Sequence, residues 1–233
     1  MSATEKPHPR ADAHGHDTDP ASNRPKTLSE IRAAYAGQAD WIHRLEWADR
    51  LVTGRYRRAR FGDVEGEVLD VACGTGANFR YLPETVDLVG IDISPEMLAN
   101  AEKRLADLDV DGTLQQMDAQ ELAFPDDSFD AVISALSTCT FPDPVAALRE
   151  MERVCKPDGT IRLIEHGRSD VGPIATYQEW RADAHYAKTG CRWTQEPGDV
   201  VADARLDVRD TSTGLLGMVT TFEIAPKGGD ERC

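Results

Sequence analysis

The sequence predicts an α/β fold: a doubly wound, mostly parallel sheet of seven strands with an antiparallel last strand, preceded by a helical lid. Three observations predict it. From residue 66 onward, short β-type runs alternate with helical segments, as in a parallel sheet covered on both faces. The first run leads into a loop carrying Gly74 and Gly76, where the backbone can come close to a ligand. The last two β-type runs are separated only by Thr211-Ser212-Thr213-Gly214, which makes them an antiparallel hairpin.

Each element follows from its residues. Residues 1–26 hold proline, histidine and short polar side chains with almost nothing apolar, and read as a disordered tail. His8, His14 and His16 lie in it without a cysteine or carboxylate framework, so they read as solvated rather than as a metal tract. Residues 27–226 read as one domain, and 227–233 as a second tail. From Thr27 to about Phe61, apolar residues (Leu28, Ile31, Tyr35, then Trp41, Leu45, Ala48, Val52) recur at helical spacing, giving two helices broken near Gly37 that form the lid. In the core, 66–166, strands are expected at 66–72, 87–92, 113–118, 129–136 and 159–166, with helices at Ala77–Leu82, Pro95–Ala106 and Pro144–Cys155. Ser94-Pro95 and Asp143-Pro144 place a capping side chain before a proline at the first helical position. Lys156-Pro157-Asp158-Gly159 is a turn into the fifth strand. A helix over Ile174 to Lys188 and strands at 204–210 and 215–225 complete the chain; 167–203 otherwise carries no readable motif.

Composition narrows the function. With 41 acidic against 26 basic side chains in 233 residues, the net charge of -15 argues against nucleic-acid binding by bulk charge. No apolar stretch is long enough to span a membrane and the N-terminus lacks a signal-peptide core, so a cytoplasmic location with at most peripheral membrane contact is expected. The 25 Asp and 20 Arg against 6 Lys suit concentrated salt and predict a halophilic source, whose protein would not keep its fold and activity equally well in low salt. The five cysteines form no CxxC pair, so neither a metal site nor a disulfide framework is indicated.

The chemistry centres on Val68-Leu69-Asp70-Val71-Ala72-Cys73-Gly74-Thr75-Gly76-Ala77-Asn78, a strand, loop and expected helix start. In an open parallel sheet, ligands bind at the carboxyl ends of strands where strand order reverses. Asp92 closes the second strand, where a carboxylate can accept both hydroxyls of a ribose. Two features disfavour a dinucleotide. Phe79 stands where its fingerprint needs a third glycine and would crowd the approach of a pyrophosphate, and Asp70 puts a carboxylate in the same mouth. A carboxylate there favours a ligand with ammonium or sulfonium charge, which points to S-adenosylmethionine.

The phrases LDVACGTGANF, VGIDISPEMLANAEKR, QMDAQELAFPDDSFDAVIS and ALREMERVCKPDGTIRLIEHGRS occur in order over residues 68–166. This stretch resembles the class I S-adenosylmethionine-dependent methyltransferases, in particular the branch of quinone-biosynthesis C-methyltransferases and related small-molecule and lipid-headgroup enzymes. The resemblance implies a Rossmann-like seven-stranded fold, S-adenosylmethionine as cofactor, and methyl transfer to a quinone-type, thiol or lipid-headgroup acceptor. It further implies that Asp70 and the backbone of Ala72, Gly74 and Gly76 serve the methionine end. Asp92 would take the ribose, Ile93 and Met97 would flank the adenine, and Asp118 and the Ala119 amide would meet its edge. Met97 reads equally as a core residue.

On the acceptor side stand Ser137, Thr138, Cys139, Thr140, Glu165 and His166, with His166 the expected acid-base group. The relatives' Tyr-x6-Tyr-Asp element is kept only at Tyr35, since Ile42-His43 stands in place of Tyr-Asp. Arg44, Arg50, Arg55, Arg57, Arg58 and Arg60 make the lid basic and fit an anionic acceptor or lipid phosphate as well as they fit the acidic surface. A non-catalytic cofactor-binding module and, less favoured, a nicotinamide-dependent oxidoreductase are the competing readings.

Overall fold

The computed structural model describes residues 25–227, apart from the side chains of Asp40, His43, Leu45 and Glu46. The readings for residues 1–24, with the three tail histidines, and for 228–233, with Cys233, lie outside the described residues. Lys26 does not belong to a tail. Its backbone N–H donates to the Tyr186 hydroxyl (2.7 Å) and its Nζ to the Ala187 carbonyl (2.8 Å).

Seven strands form one sheet: β1 Glu67–Val71, β2 Asp87–Asp92, β3 Gly112–Gln116, β4 Phe129–Ala135, β5 Cys155–His166, β6 Asp207–Gly214 and β7 Val219–Ala225. Their order is β3-β2-β1-β4-β5-β7-β6, and only β7 runs against the others, antiparallel to both β5 and β6. The helices are α1 Leu28–Ala36, α2 Ala39–Phe61, α3 Pro95–Leu108, α4 Pro144–Val154, α5 Gly172–Thr189 and α6 Pro197–Asp203. Successive strand residues face opposite layers. Leu69, Val132, Ile161 and Leu163 pack with Leu148 and Met151 of α4 and Val201 of α6. Val68, Ile133 and Ile164 pack with Phe61 of α2 and Leu98 and Leu105 of α3. This two-sided burial is why β1, β4 and β5 read as nearly continuous apolar runs.

Both capped helix starts form: Ser94 accepts from the Met97 N–H and Asp143 from the Ala146 N–H. Such caps contribute about 1 kcal/mol each. The reversal of strand order falls between β1 and β4, so the loops after β1, β2 and β4 open onto one crevice.

Several expectations are corrected. Ala77–Leu82 is not an α-helix; only a single 3-10 turn forms over Phe79–Tyr81. Six residues ahead of Pro83 are too few to repay helix nucleation, and the Asn78 side chain is committed to Asp70. Phe79 does not crowd the mouth. It is buried, and a Cβ on Gly76 would lie 2.4 Å from its ring. The hairpin turn falls at 215–218, not 211–214: the β-branched Thr-Ser-Thr run continues β6, and Leu216 and Gly217 take the positive φ values of +60° and +87°. Strand β5 begins at Cys155, and residues 156–159 are a bulge within it, since the register jumps from Phe129↔Cys155 to Ala131↔Thr160. Helix α6 was not foreseen in the sequence. Trp41 and Val52, expected on the packed face of the lid, are exposed.

Candidate active site

The loops after β1, β2 and β4 and the underside of α1 and α2 enclose a cavity of about 470 Å³. That is within the range of about 300 to 1,000 Å³ usual for small-molecule sites. Its floor is Ala72 to Thr75 with Asp92, and one wall is Ile93, Met97, Asp118 and Ala119. The opposite wall is Leu136, Ser137, Thr140 and Phe141, and the cover is Leu28, Ile31, Tyr35, Trp41 and Ile42. Two non-glycine residues on this wall, Ala72 (φ +55°) and Leu136 (φ +58°), are left-handed, at about 1 to 2 kcal/mol each. Neighbouring amides hold both turns, Cys73 N–H to the Ile91 carbonyl (2.9 Å) and Leu136 N–H to the Ile164 carbonyl (2.7 Å).

Asp92 is organised by the first loop. Its Oδ2 accepts from the Gly74 N–H (2.9 Å) and its Oδ1 from the Ser94 N–H (2.9 Å). Burial pushes its carboxyl above the ordinary range, and these backbone hydrogen bonds pull it back. Each oxygen keeps a second lone pair for a ligand hydroxyl. Gly74 has φ +57°, and a Cβ there would meet nothing within 4 Å. Gly74 is on the cavity wall, so that free space suits close approach of a ligand to the backbone.

Asp70 and Gly76 stand behind the wall. Asp70 is fully buried, and both of its oxygens accept from Asn78 Nδ2 (2.9 and 3.0 Å). Asn78 Oδ1 accepts from Arg57 Nη1, and Arg57 Nη2 pairs with Asp49 at 3.1 Å. A line Asp49–Arg57–Asn78–Asp70 therefore runs from the lid to the floor. Burial pushes the Asp70 carboxyl up to about 7, against the Asn78 hydrogen bond and the Arg57 charge. Asp118 accepts from the backbone N–H of Gln120 (2.9 Å) and from its side chain.

His166 is not on the wall. Its Nε2 lies 3.1 Å from Cys139 Sγ and 3.3 Å from Cys191 Sγ, so its nearest partners are two thiols rather than the cavity. The two sulfurs are 3.4 Å apart, and both thiols are free. Hydrogen bonding from Cys139, then from His166, holds the Cys191 thiol below its ordinary range. This cluster spans 52 residues of sequence and left no spacing signal. The roles of Asn78, Arg57 and Asp49 were equally hidden, although Asn78 lies inside the glycine-loop phrase. Tyr35 is on the wall, and burial raises its phenol well above the ordinary range, so it is a hydroxyl donor.

Comparison with known proteins gives the same picture. The family described as methyltransferase domain matches residues 69–163. Phosphatidylethanolamine N-methyltransferase of Cereibacter sphaeroides is 35% identical over 161 residues, covering 67% of this chain and 78% of that protein. The ubiquinone/menaquinone biosynthesis C-methyltransferase UbiE of Bdellovibrio bacteriovorus is 35% identical over 133 residues, 56% of this chain and 54% of its own length. Among solved structures, the putative methyltransferase in complex with the Trm112 activator from Haloferax volcanii superposes with a TM-score of 0.63 at 26% identity, covering 84% of this chain and 98% of that one. A cavity at the switch point, floored by an acidic strand end and a glycine loop, agrees with these likenesses, and the chain belongs to the class I S-adenosylmethionine-dependent methyltransferases, enzymes that use S-adenosylmethionine as cofactor, in the branch of the quinone and lipid-headgroup enzymes.

Proposed function

We propose that the enzyme methylates a lipophilic acceptor, of quinone, thiol or lipid-headgroup type, drawn from a membrane surface on the cytoplasmic side. The observation that carries this reading is the outer face of α2. Trp41, Trp47, Leu51 and Val52 are exposed there by 62%, 64%, 77% and 44%, and Arg44, Arg55 and Arg58, also exposed, lie on the same face at helical spacing. Large apolar side chains interleaved with arginines suit a bilayer interface. Trp41 also lines the cavity, so the interfacial face and the acceptor end are continuous. Among the described residues no helix is long and apolar enough to cross a membrane.

In this reading Asp92 accepts the ribose hydroxyls, Ile93 and Met97 flank the adenine, and Asp118 with the Ala119 amide meets its edge. The backbone of Ala72 and Gly74 lines the methionine end, Gly76 shapes the loop, and Asp70 balances the cation through Asn78. The bound cofactor supplies an electrophilic methyl group on a sulfonium. The chain then has to align the acceptor and keep water out, and alignment alone can lower the barrier by about 7 to 11 kcal/mol. Tyr35, a hydroxyl donor that lines the same cavity as Ser137 and Thr140, orients the acceptor. His166 is not needed as a base.

Vesicle flotation tests the reading, together with transfer of labelled methyl into an organic extract. The enzyme should float with anionic vesicles and label an organic-soluble product. Trp47→Ser with Leu51→Ser should abolish flotation while leaving cofactor affinity unchanged. Label found only in water-soluble products, with no flotation, would overturn it.

A further inference from the structure

Three side chains outside the cavity converge from three parts of the chain: Cys139 after β4, His166 at the end of β5, and Cys191 after α5. Their ligand atoms form a triangle with edges of 3.1, 3.3 and 3.4 Å. A tetrahedral zinc with Zn–S of about 2.3 Å and Zn–N of about 2.05 Å would need an S···S edge of about 3.8 Å and S···N edges of about 3.6 Å. The observed triangle is within about half an ångström of that, a shift that thiol rotamers can supply. We propose that Cys139, His166 and Cys191 are the three protein ligands of a site for one thiophilic divalent cation, zinc being the best fit, with a fourth position open.

The backbone holds this triangle in place. Gly190 ends α5 with φ +75°, and the Cys191 N–H then donates to Thr189 Oγ1 (3.1 Å). The Arg192 N–H donates to the Cys139 carbonyl (3.0 Å) and its Nη1 to the Phe141 carbonyl (2.8 Å), fastening the Cys191 loop to the Cys139 loop. Cys139 and Cys191 are 1% and 8% exposed, so the site is shielded from solvent. With both sulfurs as thiolates and the imidazole neutral, the bound dication completes a neutral unit suited to a buried place. A disulfide is the competing use of the two sulfurs. It needs an S–S distance of about 2.05 Å and an oxidant, and it would leave the convergence of His166 unexplained.

The test uses the full-length chain, reduced and freed of metal, titrated with cobalt and then zinc. One equivalent of cobalt should give tetrahedral d–d absorption with thiolate-to-cobalt charge transfer, and zinc should displace it. Zinc should also protect two thiols from alkylation. Loss of an outer contact alone typically weakens metal binding about 10- to 100-fold, so Cys191→Ser and His166→Ala should each lose more than about tenfold in chelator competition. An octahedral spectrum without charge transfer would place the metal on the tail histidines and overturn the proposal. If the variants fail to fold, the wild-type protection experiment decides: thiols that alkylate equally fast with excess zinc sink it.

Discussion

The sharpest consequence of the site's electrostatics concerns Asp70. Its carboxyl is fully buried and pushed from 3.8 up to about 7. A carboxyl raised on folding binds its proton more tightly in the native state, so stability falls as pH rises through the interval between the unfolded and folded values. Integrating the linkage between those values, native Asp70 forfeits about 3 kcal/mol between pH 5 and pH 8. Asp70→Asn removes that titration. The substituted amide can keep one hydrogen bond from Asn78 through its own carbonyl oxygen, while the Arg57 bond prevents Asn78 from reversing its amide. Urea denaturation of both proteins at both pH values gives the double difference, from which the other titrating groups cancel. Wild type should lose about 3 kcal/mol more than the variant, a shift of about 1 M or more in relative midpoint. Parallel behaviour of the two proteins across this range would refute the argument that burial outweighs Asn78 and Arg57 at this carboxyl.

Two further outcomes are expected. Asp92→Asn should weaken S-adenosylhomocysteine binding in calorimetry by about 100-fold, from roughly 3 kcal/mol for two hydrogen bonds to a charged acceptor, and should also lower the melting temperature, because its amide nitrogen cannot accept from the Gly74 or Ser94 N–H. Gly74→Ala and Gly76→Ala should separate binding from folding. A methyl on Gly74 meets open space and should cost about 1 kcal/mol of stability while reducing affinity. One on Gly76 strikes the Phe79 ring and should cost about 2 to 4 kcal/mol, read as a lower melting temperature.

What could be read in the sequence was what repeats locally. The apolar runs of β1, β4 and β5 stand out because both faces of those strands are buried, and the starts of α3 and α4 stand out because Ser94-Pro95 and Asp143-Pro144 are local devices. Asp92, at the end of an apolar strand, could be placed beside the glycine loop from the sequence, and the Gly74 N–H does donate to it. Features made by long-range packing could not. Phe79 looked like an obstacle at the mouth and is a core residue under Gly76. The Thr-Ser-Thr run looked like a turn and is an edge strand, because β7 offers it a complete ladder. His166 stood in the expected place at the end of β5, yet its partners are two cysteines, 27 residues before it and 25 after it. The lid arginines looked alike and are not: Arg57 is buried in the cavity wall and Arg60 is paired to Asp210, while Arg44, Arg55 and Arg58 face outward.

The row of side chains from Asp49 through Arg57 and Asn78 to Asp70 gives the covering helix a sense of charge. Any change of charge at Asp70 bears on Asn78 and, through Arg57, on α2. If a sulfonium binds beside it as proposed, Asp70 would be held in its charged form, and the pull on the covering helix would ease once the sulfur is neutral.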